Sequence, residues 1–168
     1  MPSESTVEKA KRDLRAGKAP STAAGEFVRE EVEHVRQGKH GARSPKQAIA
    51  IGLSKARRAG VPLKPPPPGR TSARTRRSAE RAYEAARGVE RHRAPSRRRA
   101  RAVERALERE PRRAASRGAL AQQARRAAAR RPASERKRAA NKAVATKGPR
   151  ARSLAAKRAA RTRRRERG

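Results

Sequence analysis

Ser44-Pro45-Lys46-Gln47-Ala48-Ile49-Ala50-Ile51-Gly52-Leu53-Ser54-Lys55-Ala56-Arg57-Arg58-Ala59-Gly60 is the one stretch of this chain where large aliphatic residues and helix punctuation coincide. Ser44 can accept from the free amides of a first helical turn, Pro45 forfeits a donor that would be orphaned there, and Gln47 completes a capping box. Gly60 supplies a left-handed stop. At 100° per residue, Ile49, Gly52, Leu53, Ala56 and Ala59 share one side, away from Lys46, Ser54, Arg57 and Arg58. Gly52 on that side would let another backbone come close. Ile49, Ile51 and Leu53 also alternate as a strand would, but the caps and the charged second half carry the pattern past strand length.

Composition limits what can surround this helix. The 168 residues hold 49 Lys+Arg against 15 Asp+Glu, a formal charge of +34, with 33% hydrophobic and 1% aromatic residues. Much of the hydrophobic share is alanine, which buries little area, so most of the chain is expected not to fold by itself. With no cysteine, disulfides, thiolate metal sites and thiol nucleophiles are excluded. No segment approaches the about 18 apolar residues of a membrane span and no leader is visible, so a soluble, cytoplasmic protein is expected.

Working toward the N terminus, Ser5 to Gly17 reads as a short helix with Ser5 and Glu8 as a capping box and Val7, Ala10 and Leu14 on one face. A second helix should run from Ser21 or Thr22 to Gln37, ended by Gly38, with Ala24, Val28, Val32 and Val35 on one face and Phe27 at its edge. Glu26, Glu30 and Glu33 line another face, read as solvated rather than as a clasp for the basic tail. The expected core comprises Val7, Leu14, Phe27, Val28, Val32, Val35, Ile49, Ile51, Leu53, Val61 and Leu63. That is lean for a three-helix module over residues 1–60, so marginal stability or homodimerisation through shared apolar faces is expected.

Residues 61–69, Val61-Pro62-Leu63-Lys64-Pro65-Pro66-Pro67-Pro68-Gly69, read as a semi-rigid polyproline linker. Residues 70–168 hold 35 Lys+Arg and 8 Asp+Glu, against 14 and 7 in residues 1–69, so the charge is concentrated in the tail.

Prolines 95, 111, 132 and 149 cut that tail into pieces with serviceable caps at Ser96, Ser116, Ser134 and Ser153. Their apolar stripes (Ala79, Ala82, Tyr83, Ala86 and Val89; Ala100, Val103 and Leu107; Leu120 and Ala124; Val144; Leu154) are too poor for a core. Arg112-Arg113-Ala114-Ala115, Arg125-Arg126-Ala127-Ala128, Lys137-Arg138-Ala139-Ala140 and Lys157-Arg158-Ala159-Ala160 repeat a motif at irregular spacing, which is low complexity rather than a solenoid. The fold class expected is all-α: a small helical module, a linker and a largely disordered, conditionally helical tail.

Such a polycation should stay expanded until it meets a polyanion, when counterion release favours binding and alanine-rich segments can become helical. Arginine predominates, and its planar fork suits bidentate phosphate contacts. The expected nucleic-acid contacts are Lys46, Lys55, Arg57 and Arg58 on the Ser44 helix, the only platform for base readout, together with tail residues. Those are Arg97, Arg98, Arg99, Arg112, Arg113, Arg125, Arg126, Lys137, Arg138, Lys157, Arg158, Arg163, Arg164 and Arg165. Lys147-Gly148-Pro149-Arg150-Ala151-Arg152 lacks the residue order of a minor-groove hook and reads as a helix break.

Gly17 to Leu63, above all Gly38-Lys39-His40-Gly41-Ala42-Arg43-Ser44-Pro45-Lys46-Gln47-Ala48-Ile49-Ala50-Ile51-Gly52-Leu53-Ser54-Lys55-Ala56-Arg57-Arg58, resembles a bacterial family of small basic proteins whose domain has no assigned function. The resemblance covers under a third of the chain, implies a bacterial cytoplasmic source, and carries no catalytic residues. Residues 70–168 are similar in composition to linker-histone tails and bacterial histone-like proteins, but richer in arginine.

Other chemistries are weak. A metal site from Glu31, His34 and His40 would need a loop folded back on a helix without thiolate help, and an exposed histidine pair at a helix end is the favoured reading; no cofactor is expected. No nucleophile elbow, phosphate loop or carboxylate pair in an apolar pocket points to an enzyme. The tail has alanine where a membrane-active helix needs Trp, Phe or Leu, so no membrane partner is expected. The function expected is sequence-independent DNA binding and compaction by a nucleoid-associated, histone-like protein. An RNA- or ribosome-associated protein, and an adaptor whose tail anchors it to nucleic acid, are the alternatives.

Overall fold

The computed structural model describes residues 2–88 and 96–165, so Val89, His92 and Pro95 lie outside the described residues. It is all-α, without a strand among the described residues. The α-helices are α1 (Glu4–Arg15), α2 (Pro20–Gln37), α3 (Pro45–Arg58), α4 (Ala73–Ala86), α5 (Arg97–Glu108), α6 (Arg117–Ala129) and α7 (Ala133–Arg165), with a 3₁₀ turn, Arg112–Ala115, before α6. The chain divides within α6 into two compact units, Met1–Gln123 and Ala124–Gly168, and the proline run lies within the first.

The local chemistry of α3 follows from its sequence. Ser44 Oγ accepts from Gln47 N at 3.3 Å, and Pro45 takes the first helical position. The Gln47 side chain reaches one residue further out than a capping box requires, its Oε1 accepting from Arg43 N at 2.8 Å. Gly17, Gly38 and Gly60 follow the first three helices in left-handed conformation, with φ of 70°, 76° and 86°. The first helix starts earlier than expected: Ser3, not Ser5, caps it through Thr6 N. The second starts at Pro20 after Ala19, with no side-chain cap, because proline's preset φ begins the helix unaided.

Packing corrects the expected core of α3. Its buried positions are Ala48, Gly52, Ala56 and Arg57, while Ile49 and Ile51 are half-buried and Leu53 packs at the margin. Gly52 explains the choice. A Cβ placed there would stand 2.7 Å from Val28 Cα and 3.0 Å from the Phe27 carbonyl oxygen, so α2 and α3 touch backbone to backbone. At that separation only a seam of small residues fits, and the larger side chains flank it.

Two apolar clusters result. Ala10, Ala23, Ala24, Phe27, Ala56 and Val61 form one, with Val7, Leu14, Leu53 and Leu63 against it. The other joins Val32, Val35, Ala42 and Ala48 to Ala114 and Ala115, with Val28 and Leu120 against it. The second cluster is the larger surprise, because it draws residues of the expected tail into the module. The 38–43 loop is clamped there, Gly41 N donating to the Leu107 carbonyl at 2.8 Å and Ala42 N to Pro111 O at 3.3 Å, while Arg36 Nε of α2 donates to Ala115 O at 2.9 Å.

The expectation of a largely disordered tail is corrected likewise. Residues 73–86, 97–108, 117–129 and 133–165 are helical, because alanine and arginine are strong helix formers and Ser72, Ser96 and Ser116 each accept from an amide three residues on. Two expected caps differ: Ser134 and Ser153 lie inside α7. Gly148, with φ 63° and ψ 167°, breaks α7 just before Pro149, where a break was expected.

Candidate nucleic-acid interface

Of the four basic residues expected to form a platform on α3, two face solvent and two serve the fold. Lys46 and Arg58 are exposed. Arg57 is buried, its Nε donating to the Leu63 carbonyl at 3.1 Å and a terminal nitrogen reaching Lys64 O, which ties the extended segment after Gly60 to α3. Burial lowers its pKa from the ordinary guanidinium value. Lys55 donates to Glu31 Oε2 at 2.5 Å, and Glu31 is 0% exposed. Lys55 therefore neutralises a buried carboxylate, and removing it would leave that charge unpaired.

The tail residues are arranged differently. Arg97, Arg98 and Arg99 on the first turn of α5, and Arg112 and Arg113 on the 3₁₀ turn, are exposed. The Arg112 guanidinium lies over Gly38, where a Cβ would collide with it. In the second unit Arg125, Arg126, Lys137, Arg138, Lys157, Arg158, Arg163, Arg164 and Arg165 are all exposed. Residues 124–168 carry 18 Lys+Arg against 2 Asp+Glu, whereas residues 1–123 carry 31 against 13.

The acidic face of α2 finds mostly local partners. Glu26 pairs with Arg29 at 3.0 Å, and Glu33 accepts from Gln37 at 3.1 Å. Glu30 Oε1 accepts from Ser3 N at 2.7 Å. Burial alone would raise the Glu30 pKa, but the Ser3 hydrogen bonds and the nearby His34 and Lys55 charges outweigh it and hold the carboxyl below its ordinary value.

Sequence reasoning missed the position of Glu31 and the histidines. His34 and His40 are not an exposed pair: their side chains are 20% and 18% exposed, and the clamped 38–43 loop folds back so that His40 reaches Glu31. Burial, followed by the Lys39 and Lys55 charges, lowers the His34 pKa below the ordinary imidazole value. Glu31 carried one usable signal, its lone acidic place on the side of α2 that also bears Ala24, Phe27 and Val35.

No helix among the described residues is long and apolar enough to cross a membrane. Comparison with family models, with characterised proteins and with solved structures finds no match.

Proposed function

We propose that the chain binds duplex DNA without sequence preference and compacts it, the second unit supplying most of the phosphate contacts and the first acting as a folded anchor. One observation carries the reading: every basic residue of 124–165 whose side chain is described is solvent-exposed, with Glu135 the only acid in that span. A helix charged on all sides has no core to join and is strained by its own field. Lys157, Arg161 and Arg165 stand at i, i+4 and i+8 on one face of α7, and each like-charged pair costs about 0.2–0.5 kcal/mol. Phosphates on that face convert the repulsion to attraction and release condensed counterions.

Direct base readout has little support, since Lys55 and Arg57 are engaged within the fold and Lys46 and Arg58 alone make a sparse platform. Fluorescence anisotropy with labelled duplex across a salt series tests the proposal. With roughly eight to ten phosphates neutralised, log K should fall against log salt with a slope near −8. Replacing Lys157, Arg158, Arg161, Arg163, Arg164 and Arg165 by Gln should flatten that slope by about five units and weaken binding by roughly four decades at about 0.15 M salt. A salt-insensitive complex, or unlabelled structured RNA outcompeting duplex at equal phosphate, would overturn the DNA reading.

A further inference from the structure

Glu31 lies where α2, α3 and the 38–43 loop meet, and its two carboxylate oxygens have different fates. Oε2 is taken by Lys55 Nζ. Oε1 is buried without a hydrogen-bond partner among the described residues, yet His40 Nε2 stands 3.2 Å away. The other ring nitrogen of His40, Nδ1, is 3.0 Å from the Gly41 carbonyl oxygen. A carbonyl only accepts, so Nδ1 must carry the hydrogen. In a neutral imidazole Nε2 then presents a lone pair to the lone pairs of Oε1, a repulsive meeting that a cation between them relieves.

His34 completes the cluster. One ligand atom from each of Glu31, His34 and His40 lies within 4.8 Å of the other two. A tetrahedral ion with bonds of about 2.0–2.1 Å places its ligands roughly 3.3 Å apart, close to the separation of His40 Nε2 and Glu31 Oε1. The Gly41 hydrogen bond is the kind of outer contact that fixes a metal-binding histidine in one tautomer.

We propose that Glu31, His34 and His40 bind one divalent transition-metal cation of the zinc class, with the fourth position open to water. Two imidazoles and a carboxylate select zinc, cobalt or nickel over magnesium or calcium, which require oxygen ligands. Entry of the ion draws His34 inward. Lys55 and Lys39 oppose the added charge and Glu30 favours it, so the site is weaker than one built from four thiolates. A chain of formal charge +34 adsorbs stray cations poorly, which makes a stoichiometric signal specific.

Titration calorimetry of the full-length chain with zinc chloride should show one ion per chain, and cobalt(II) should give the visible bands of a four-coordinate ion. His34→Gln and His40→Gln, each checked for helix content by circular dichroism, should weaken zinc at least about tenfold, while His92→Gln should leave binding unchanged. Should the variants misfold, imidazole nitrogen shifts of the wild-type chain decide: zinc should move His34 and His40 but not His92. The proposal fails if no heat or visible band appears, if a folded His40→Gln chain binds zinc normally, or if zinc moves His92 instead.

Discussion

Helices α3 and α5 begin almost alike and end in opposite circumstances. Each opens on a serine that accepts from the amide three residues on, Ser44 from Gln47 N at 3.3 Å and Ser96 from Arg99 N at 3.4 Å. Both mix alanine with basic residues. Yet α3 buries Ala48, Gly52, Ala56 and Arg57, whereas α5 buries nothing and leaves Val103 60% exposed. Propensity and capping are therefore shared, and what differs is a partner surface. An alanine helix gains global stability only when a neighbouring backbone comes close enough to use its small side chains.

Hydrogen exchange should separate the two kinds of helix by the widest margin. Amides in the middle of α3 can open only with the module, whereas those of α7 and of α5 ahead of Leu107 need only local fraying. For a module stable by roughly 5 kcal/mol, α3 should exchange about three decades more slowly than α7. Excess duplex DNA should slow α7 and leave α3 nearly unchanged. Equal protection in both helices without DNA would mean that exposed alanine-arginine helices are held by something other than burial.

Glycine substitutions sharpen the same contrast at a smaller scale. The Gly52→Ala methyl must push against Val28 Cα at 2.7 Å and should destabilise the module by about 1–3 kcal/mol in denaturant titration, despite alanine's better helix propensity. The Gly118→Ala methyl, near the start of α6, meets nothing within 4 Å and should be neutral or stabilising by up to about 1 kcal/mol. If Gly52→Ala is also neutral, the helices are not in backbone contact and the small-residue seam has another cause.

Local signals were legible and distant ones were not. Ser44, Pro45, Gly52 and Gly60 announce a capped helix with one close-packed side, since each acts within a few residues of itself. The same wheel placed Ile49 in the core, and bulk alone suggested Ile51, because bulk is a good guide to burial until helices approach too closely for it. Ala114 and Ala115 were unreadable for a different reason. Their motif recurs three times, and nothing in the other copies differs in kind; only the copy beside the 38–43 loop is buried. Likewise the burial of Glu31 depends on Lys55, 24 residues away, and on a loop clamped by residues near Leu107.

The two serine caps supply the smallest and cleanest test. Removing either hydroxyl strands one first-turn amide, a loss of about 1 kcal/mol to its helix. In α3 that helix cannot unwind without giving up Ala48, Ala56 and the backbone contact at Gly52, so Ser44→Ala should lower the stability of the whole module by about 1 kcal/mol. The Ser96→Ala loss falls on a helix with no buried residue, where fraying absorbs it, so the denaturation midpoint should not move and only helix content should drop. If Ser96→Ala shifts the midpoint as far as Ser44→Ala, then α5 folds as part of the module, and burial is the wrong measure of what belongs to it.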